Sequence, residues 1–168
     1  MPERETLRRS RRKRDQGDAP STQAGEFVRE EIRHVRRRKH GARSPEQVIA
    51  IGLSKARRAG VELPPPKPGK ASAKTRARAE RDYERGHRKG RARTSSSPRR
   101  TRATRAALAR EGSRSASREA LSAHGRRAAK ARRPQERSAA ARKAARTKGP
   151  ARRTSAAKKA ARTRAAKS

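Results

Sequence analysis

The sequence predicts a mostly disordered chain with a small all-α element. That element is a helical hairpin, near residues 26–40 and 45–59, flanked by a basic arm and a basic tail with transient helices. Three observations carry this. Only 29% of the 168 residues are apolar and 40% are charged, with one Phe, one Tyr and no Trp, so most of the chain lacks the material of a core. Residues 64–168 hold 35 Lys and Arg against six Asp and Glu, and the self-repulsion of that surplus opposes compaction. Helical periodicity and capping signals concentrate in residues 25–63.

Residues 1–24 read as a disordered basic arm. Arg8-Arg9-Ser10-Arg11-Arg12-Lys13-Arg14 is a run of cations, and Asp15-Gln16-Gly17-Asp18-Ala19-Pro20 is made of turn and loop residues. Arg11, Arg12, Lys13 and Arg14 are the first candidate phosphate contacts.

In the hairpin, Phe27, Val28, Ile32 and Val35 fall near one helical stripe. Glu26, Glu30 and Glu31 stand toward its start and Arg36, Arg37, Arg38 and Lys39 at its end, the order that suits the helix dipole. Gly41 is a stop. Ser44-Pro45-Glu46-Gln47 then gives an N-cap, a proline at the first helical position and a Ser-x-x-Gln capping box. Val48, Ile49, Ile51, Leu53 and Ala56 form the apolar face of the second helix. Lys55, Arg57 and Arg58 load its last turn, Gly60 takes a left-handed cap, and Val61 folds back on Ala56; Arg36, Arg37, Arg38, Lys39, Arg57 and Arg58 are further candidate phosphate contacts. Pro64-Pro65-Pro66 ends the motif and begins a stiff linker. About ten apolar side chains are few against the ordering entropy of some 36 residues, so the hairpin is expected to dimerise or to firm up on a partner.

Residues 64–168 read as a disordered Arg/Ala-rich tail. Ala73 to Arg93 is expected to be transiently helical but too poor in apolar residues to dock, and Thr94-Ser95-Ser96-Ser97-Pro98 interrupts it. Ser97-Pro98-Arg99-Arg100 fits a Ser-Pro-basic-basic pattern in which a proline turn presents two cations to the minor groove. A 16-residue repeat follows in 122–164, with segments starting at Ser122, Ser138 and Thr154 and with Pro134 and Pro150 at matching places. Its candidate contacts are Arg126 and Arg127, then Arg142, Lys143 and Arg146, then Lys158, Lys159 and Arg162. Each unit is expected to be disordered when free and partly helical against phosphates, which would remove the repulsion between cations.

Catalysis is not expected. There is no cysteine, which excludes disulfides and thiolate chemistry, and no P-loop, nucleophile elbow or dinucleotide fingerprint. Glu31-x-x-His34 puts a carboxylate and an imidazole on one helical face, as in half of a di-iron site, but no second such pair exists. His40, His87 and His124 show no metal-like spacing, so these residues read as satisfied or exposed groups and no cofactor or metal is expected. Asp82, between Glu80 and Glu84, reads as solvated charge. The longest apolar run, Val48 to Leu53, is too short for a bilayer span of about 20 residues, and the N-terminus lacks a signal-peptide core. A cytoplasmic protein of the nucleoid is expected.

The string Ser44-Pro45-Glu46-Gln47-Val48-Ile49-Ala50-Ile51-Gly52-Leu53-Ser54-Lys55-Ala56-Arg57-Arg58-Ala59-Gly60 resembles a bacterial family of small, highly basic proteins with a short helical domain of unknown function. The preceding Phe27 to His40 segment is similar to that family too, so the resemblance covers residues 25–63. It implies a helical fold and a bacterial origin and no catalytic residues. The tail resembles the Ala/Lys-rich tails of linker histones and bacterial histone-like proteins, with Arg in place of much Lys. The expected function is sequence-independent binding of double-stranded DNA, with phosphates neutralised and duplexes bridged by a tail whose extended reach would be on the order of 350 Å. An RNA- or ribosome-associated assembly factor, or an adaptor that binds an acidic protein through the hairpin, are the alternatives.

Overall fold

The computed structural model describes residues 2–88 and 97–165. Helices α1 (Arg4–Asp15), α2 (Pro20–Arg36), α3 (Pro45–Arg58), α4 (Ala73–His87), α5 (Pro98–Arg110), the 3-10 turn η1 (Arg114–Ala116), α6 (Arg118–Ala131) and α7 (Pro134–Ala165) follow one another, with no strand among the described residues. This overturns the expectation of a mostly disordered chain. The physical reason lies in propensity and pairing: Ala and Arg are both strong helix formers, and the few carboxylates sit where they anchor helices that have little apolar surface to bury. The chain divides into two units, residues 1–124 and residues 125–168.

In the first unit α2 and α3 form the hairpin, and its boundaries follow local chemistry. Ser44 Oγ accepts a hydrogen bond from the Gln47 backbone N–H at 3.3 Å, and Pro45 opens α3. The Gln47 side chain reaches back to the backbone N–H of Arg43, one residue before the cap, at 2.7 Å. At the far end Gly60 has φ +84°, and the Val61 N–H bonds the Ala56 carbonyl at 3.1 Å, which seats Val61 against Ala56. The two helices meet at Gly52, where a Cβ would stand 2.6 Å from the Val28 Cα, so only glycine permits the approach.

The core falls into two apolar clusters. Ala24, Phe27, Ala56 and Val61 form one, with Leu7, Leu53 and Leu63 packed on it. Val35, Ala42, Val48 and Ala116 form the other, with Ile32 beside them. Leu7 comes from α1 and Ala116 from η1, so segments on both sides of the hairpin add to its core.

The arm is the first correction. Its α1 packs on α2 through small side chains, Thr6 and Ser10, both buried. Arg9 and Lys13 reach the buried carboxylate of Glu26 at 3.1 and 3.3 Å. The Asp15–Pro20 stretch is short: the loop is residues 16–19, and Pro20 already begins α2.

Residues 73–87 are the second correction, because α4 docks on α3 despite its lack of apolar residues. Polar contacts replace them. The Ser54 hydroxyl donates to Asp82 at 2.6 Å, Arg58 lies 3.3 Å from the same carboxylate, and Tyr83 donates to Glu62 at 2.6 Å. Ala79 is buried, and Gly86 lets the backbones touch.

The end of α5 and the segment after it run against the α2–α3 loop. The Gly41 N–H bonds the Leu108 carbonyl at 2.8 Å and the Ala42 N–H bonds the Gly112 carbonyl at 3.1 Å. In the second unit α7 is one helix of 32 residues, about 48 Å long. Pro134 starts it, as a first-turn proline does. Pro150, expected to separate two repeats, lies within it, so two of the repeats are continuous helix and the extended reach shortens accordingly.

Candidate functional site

Three carboxylates on α2 organise the interior of the first unit. Glu26, Glu30 and Glu31 are 1%, 0% and 1% exposed, and isolated ions at such depth would be costly. Each is compensated. Glu26 takes Arg9, Lys13 and Arg29. Burial alone would raise the pKa of Glu30, but the Thr6 hydroxyl, the Glu3 backbone N–H and Lys55 outweigh it and hold the group below its ordinary value. Glu31 has Lys55 on one oxygen, with His34 and His40 close by.

Around these buried acids, exposed Lys and Arg outnumber the exposed carboxylates. Arg11 and Arg12 are exposed on α1 and line a shallow groove with Arg4 and Arg8; Arg14 pairs with Asp15, while Lys13 is half-buried on Glu26. At and beyond the end of α2, Arg36, Arg37, Arg38 and Lys39 are exposed. Arg36 spends its Nε on the Ala116 carbonyl at 2.8 Å and Lys39 lies 3.2 Å from Glu3. Arg58 is exposed beside Asp82.

Arg57 differs from the other candidates. It is 8% exposed and its guanidinium donates to the carbonyls of Leu63 and Pro64 at 3.0 and 3.5 Å, tying the end of α3 to the proline segment. Burial pushes its pKa below the ordinary value, partly offset by Asp82. Its role is structural, and it does not belong to the cationic surface.

Pro98 opens α5 rather than a turn, so Arg99 sits exposed in the first helical turn; the Arg100 side chain lies outside the described residues. Arg126 and Arg127 are exposed on α6. Arg142, Lys143, Arg146, Lys158 and Arg162 are exposed on α7, whereas the Lys159 side chain lies outside the described residues.

The structure also assembles a basic cleft that sequence reasoning missed. The α2–α3 loop and the segment from Glu111 to Ser115 enclose a cavity of about 600 Å³ lined by Arg38, Lys39, His40, Arg43 and Arg114, with Ser113 and Ser115. Arg38 turns the chain there with φ +54°, a left-handed conformation uncommon outside glycine. The Ser115 hydroxyl is buried and has no hydrogen-bond partner. Its cations come from positions 38 to 114, so no local pattern could have announced the cleft.

His40 lies in this wall and also beside the two residues singled out on α2. Glu31, His34 and His40 offer one ligand atom each within 4.8 Å of one another. The linear spacing hid this, because His40 is past the end of α2 and is brought back by the Arg38 turn.

Comparison with known protein families, with characterised proteins and with solved structures finds no match. Among the described residues no helix is long and apolar enough to cross a membrane.

Proposed function

We propose that the protein is a non-enzymatic, sequence-independent DNA-binding protein of the nucleoid, histone-like in the sense that it neutralises backbone phosphates and draws duplexes together. The observation that carries this reading is the excess of cations over carboxylates. Of 15 acidic residues against 52 Lys and Arg, three are fully buried on α2 and others are tied to the fold by specific pairs, including Glu3, Glu62, Asp82 and Glu111. The acids that remain exposed are far outnumbered by Lys and Arg, and the chain keeps a net charge of +37.

Magnitude supports duplex binding without a shaped base-reading site. The surplus of 29 cations in residues 64–168 matches the charge on about 50 Å of duplex, at one phosphate per about 1.7 Å. One Tyr and one Phe, the latter 1% exposed, supply no stacking platform for single strands.

The test is a salt titration of the full-length protein on duplexes of unrelated sequence and on matched RNA. Near-equal affinities across sequences, a steep fall with salt and preference for duplex DNA support the reading. Clear preference for RNA at physiological salt replaces it with an RNA-assembly role, and a flat salt dependence rejects counterion release altogether.

A further inference from the structure

We propose that Glu31, His34 and His40 bind one divalent transition-metal ion of the zinc type, clamping the α2–α3 loop onto α2 beside the basic cleft. The three groups lie close enough together to share one ion. In tetrahedral coordination with bonds of about 2.0–2.1 Å, neighbouring donor atoms stand about 3.3 Å apart. Here His40 Nε2 lies 3.3 Å from Glu31 Oε2, His34 Nδ1 faces the other oxygen of that carboxylate at 3.4 Å, and one ligand atom from each of the three residues lies within 4.8 Å of the others.

The remaining ring nitrogens fix the tautomers. His34 Nε2 lies 2.8 Å from a Glu3 oxygen and His40 Nδ1 lies 3.1 Å from the Gly41 carbonyl. An ionised carboxylate and a carbonyl only accept, so those two nitrogens carry the protons. In the neutral rings His34 Nδ1 and His40 Nε2 are then bare lone pairs, both set against the Glu31 carboxylate. Glu31 Oε2 is itself buried without a hydrogen-bond partner. With the rings neutral, three electron-pair donors face one another, one of them unsatisfied, and an ion between them would engage all three.

Support around the donors has the form that orients metal ligands. Imidazoles that bind metal commonly donate the second N–H to a carboxylate or a carbonyl, and here Glu3 and Gly41 fill those roles. Glu3 is in turn held by Lys39 at 3.2 Å, and Lys55 holds Glu31 through Oε1, leaving Oε2 for the ion. Two imidazoles and one carboxylate suit zinc and its neighbours over magnesium or calcium, which prefer all-oxygen sets. Three protein ligands leave one position open, and His40 lines the cleft, which supplies an access route from solvent.

The experiment titrates chelator-stripped, full-length protein with Zn²⁺ and with Co²⁺, by calorimetry and by visible absorption. One equivalent is expected, with a dissociation constant of about 1 μM or below and a rise in thermal midpoint. H34Q and H40Q each weaken binding at least about tenfold and remove the cobalt absorption, E3Q weakens it by a smaller factor, and H87Q and H124Q leave it unchanged. Because His40 is in a loop, H40Q keeps the helical circular dichroism and separates lost ligation from lost folding. Absence of a stoichiometric ion, persistence of binding in an H34Q/H40Q double variant, equal loss in H87Q or H124Q, or equal affinity for Mg²⁺ each overturns the proposal. Two protonated histidines, the other way to satisfy Glu31, would give the first of these results.

Discussion

Arg9 Nε lies 3.1 Å from Glu26 Oε2, so the first helix is tied to the second by a carboxylate that is 1% exposed. The tie is asymmetric, because Glu26 is buried while its three cations keep water: the side chains of Arg9, Lys13 and Arg29 are 28%, 27% and 63% exposed. Glu26→Gln removes the common anion and should cost about 1–3 kcal/mol, whereas Arg9→Ala leaves two cations in place and should cost less than about 1 kcal/mol. Urea unfolding followed by far-ultraviolet circular dichroism measures both. Equal losses would mean that α1 is held by Thr6 and Leu7 packing rather than by the ion cluster.

Gly86 sets how closely α4 approaches α3. A Cβ at that position would stand 1.9 Å from the Arg57 carbonyl oxygen and 3.1 Å from the Gly60 nitrogen, both backbone atoms that cannot step aside. Gly86→Ala should therefore separate the helices and cost about 1–3 kcal/mol, the range for overpacking. Gly125 lies on α6 with nothing within 4 Å of its Cβ position, so Gly125→Ala should stabilise by about 0.5–1 kcal/mol through helix propensity. Tyr83 is the only tyrosine and sits on α4 against Glu62. Its near-ultraviolet signal should change in the Gly86 variant and stay unaltered in the Gly125 variant.

Legibility in the sequence tracks the range of the interaction. Ser44, Pro45, Gln47 and Gly60 act within four residues, and they place the ends of α3 where the chain carries those signals. What escaped was long-range pairing. Nothing near Arg9 says that its anion lies 17 residues away, and nothing near Arg36 points to the Ala116 carbonyl. Apolar content understates the core because Glu26, Glu30 and Glu31 occupy positions that an average composition gives to Leu or Val. Of the candidate contacts, Arg57 was misplaced for a related reason: a terminal-turn arginine suits the helix dipole equally well from the surface or from a pocket of carbonyls. The Glu31 and His34 spacing was visible, but His40 joins them only through the Arg38 turn.

Glu46 gives a prediction in pH. Its own backbone N–H, the Ser44 hydroxyl and His124 lower its pKa from 4.5 to about 2. A carboxylate depressed on folding stabilises the folded state above its unfolded pKa, and that contribution disappears as pH falls through the folded one. The window is therefore from about 4.5 down to about 2, a loss on acidification only. NMR titration of the Glu46 carboxyl should show the low midpoint. His124→Gln should move it upward by part of the shift, since the first two donors remain. A midpoint near 4.5 in the unaltered protein would remove the His124 contact at 2.7 Å from the folded state in solution.

Bridging is where the helical state of α7 changes the argument. A flexible tail bridges by reach, but a helix bridges by presenting cations on different sides. Sixteen residues advance an α-helix by about 24 Å and turn it by about 160°, so each repeat sets its cations nearly opposite those of the one before. Arg142 and Lys158 are related in this way, as are Arg146 and Arg162, and all four are exposed. One duplex can neutralise one pair of side chains while the other pair faces away from it. Arg142→Ala/Arg146→Ala should then reduce co-capture of a second, labelled duplex far more than it reduces binding to the first. The salt slope should fall by about 1.8, two cations at about 0.9 each. Adding Lys158→Ala and Arg162→Ala should double that change in slope with little further effect on co-capture. If co-capture falls only in proportion to affinity at each step, α7 serves as a one-sided phosphate contact and the bridging element lies elsewhere in the chain.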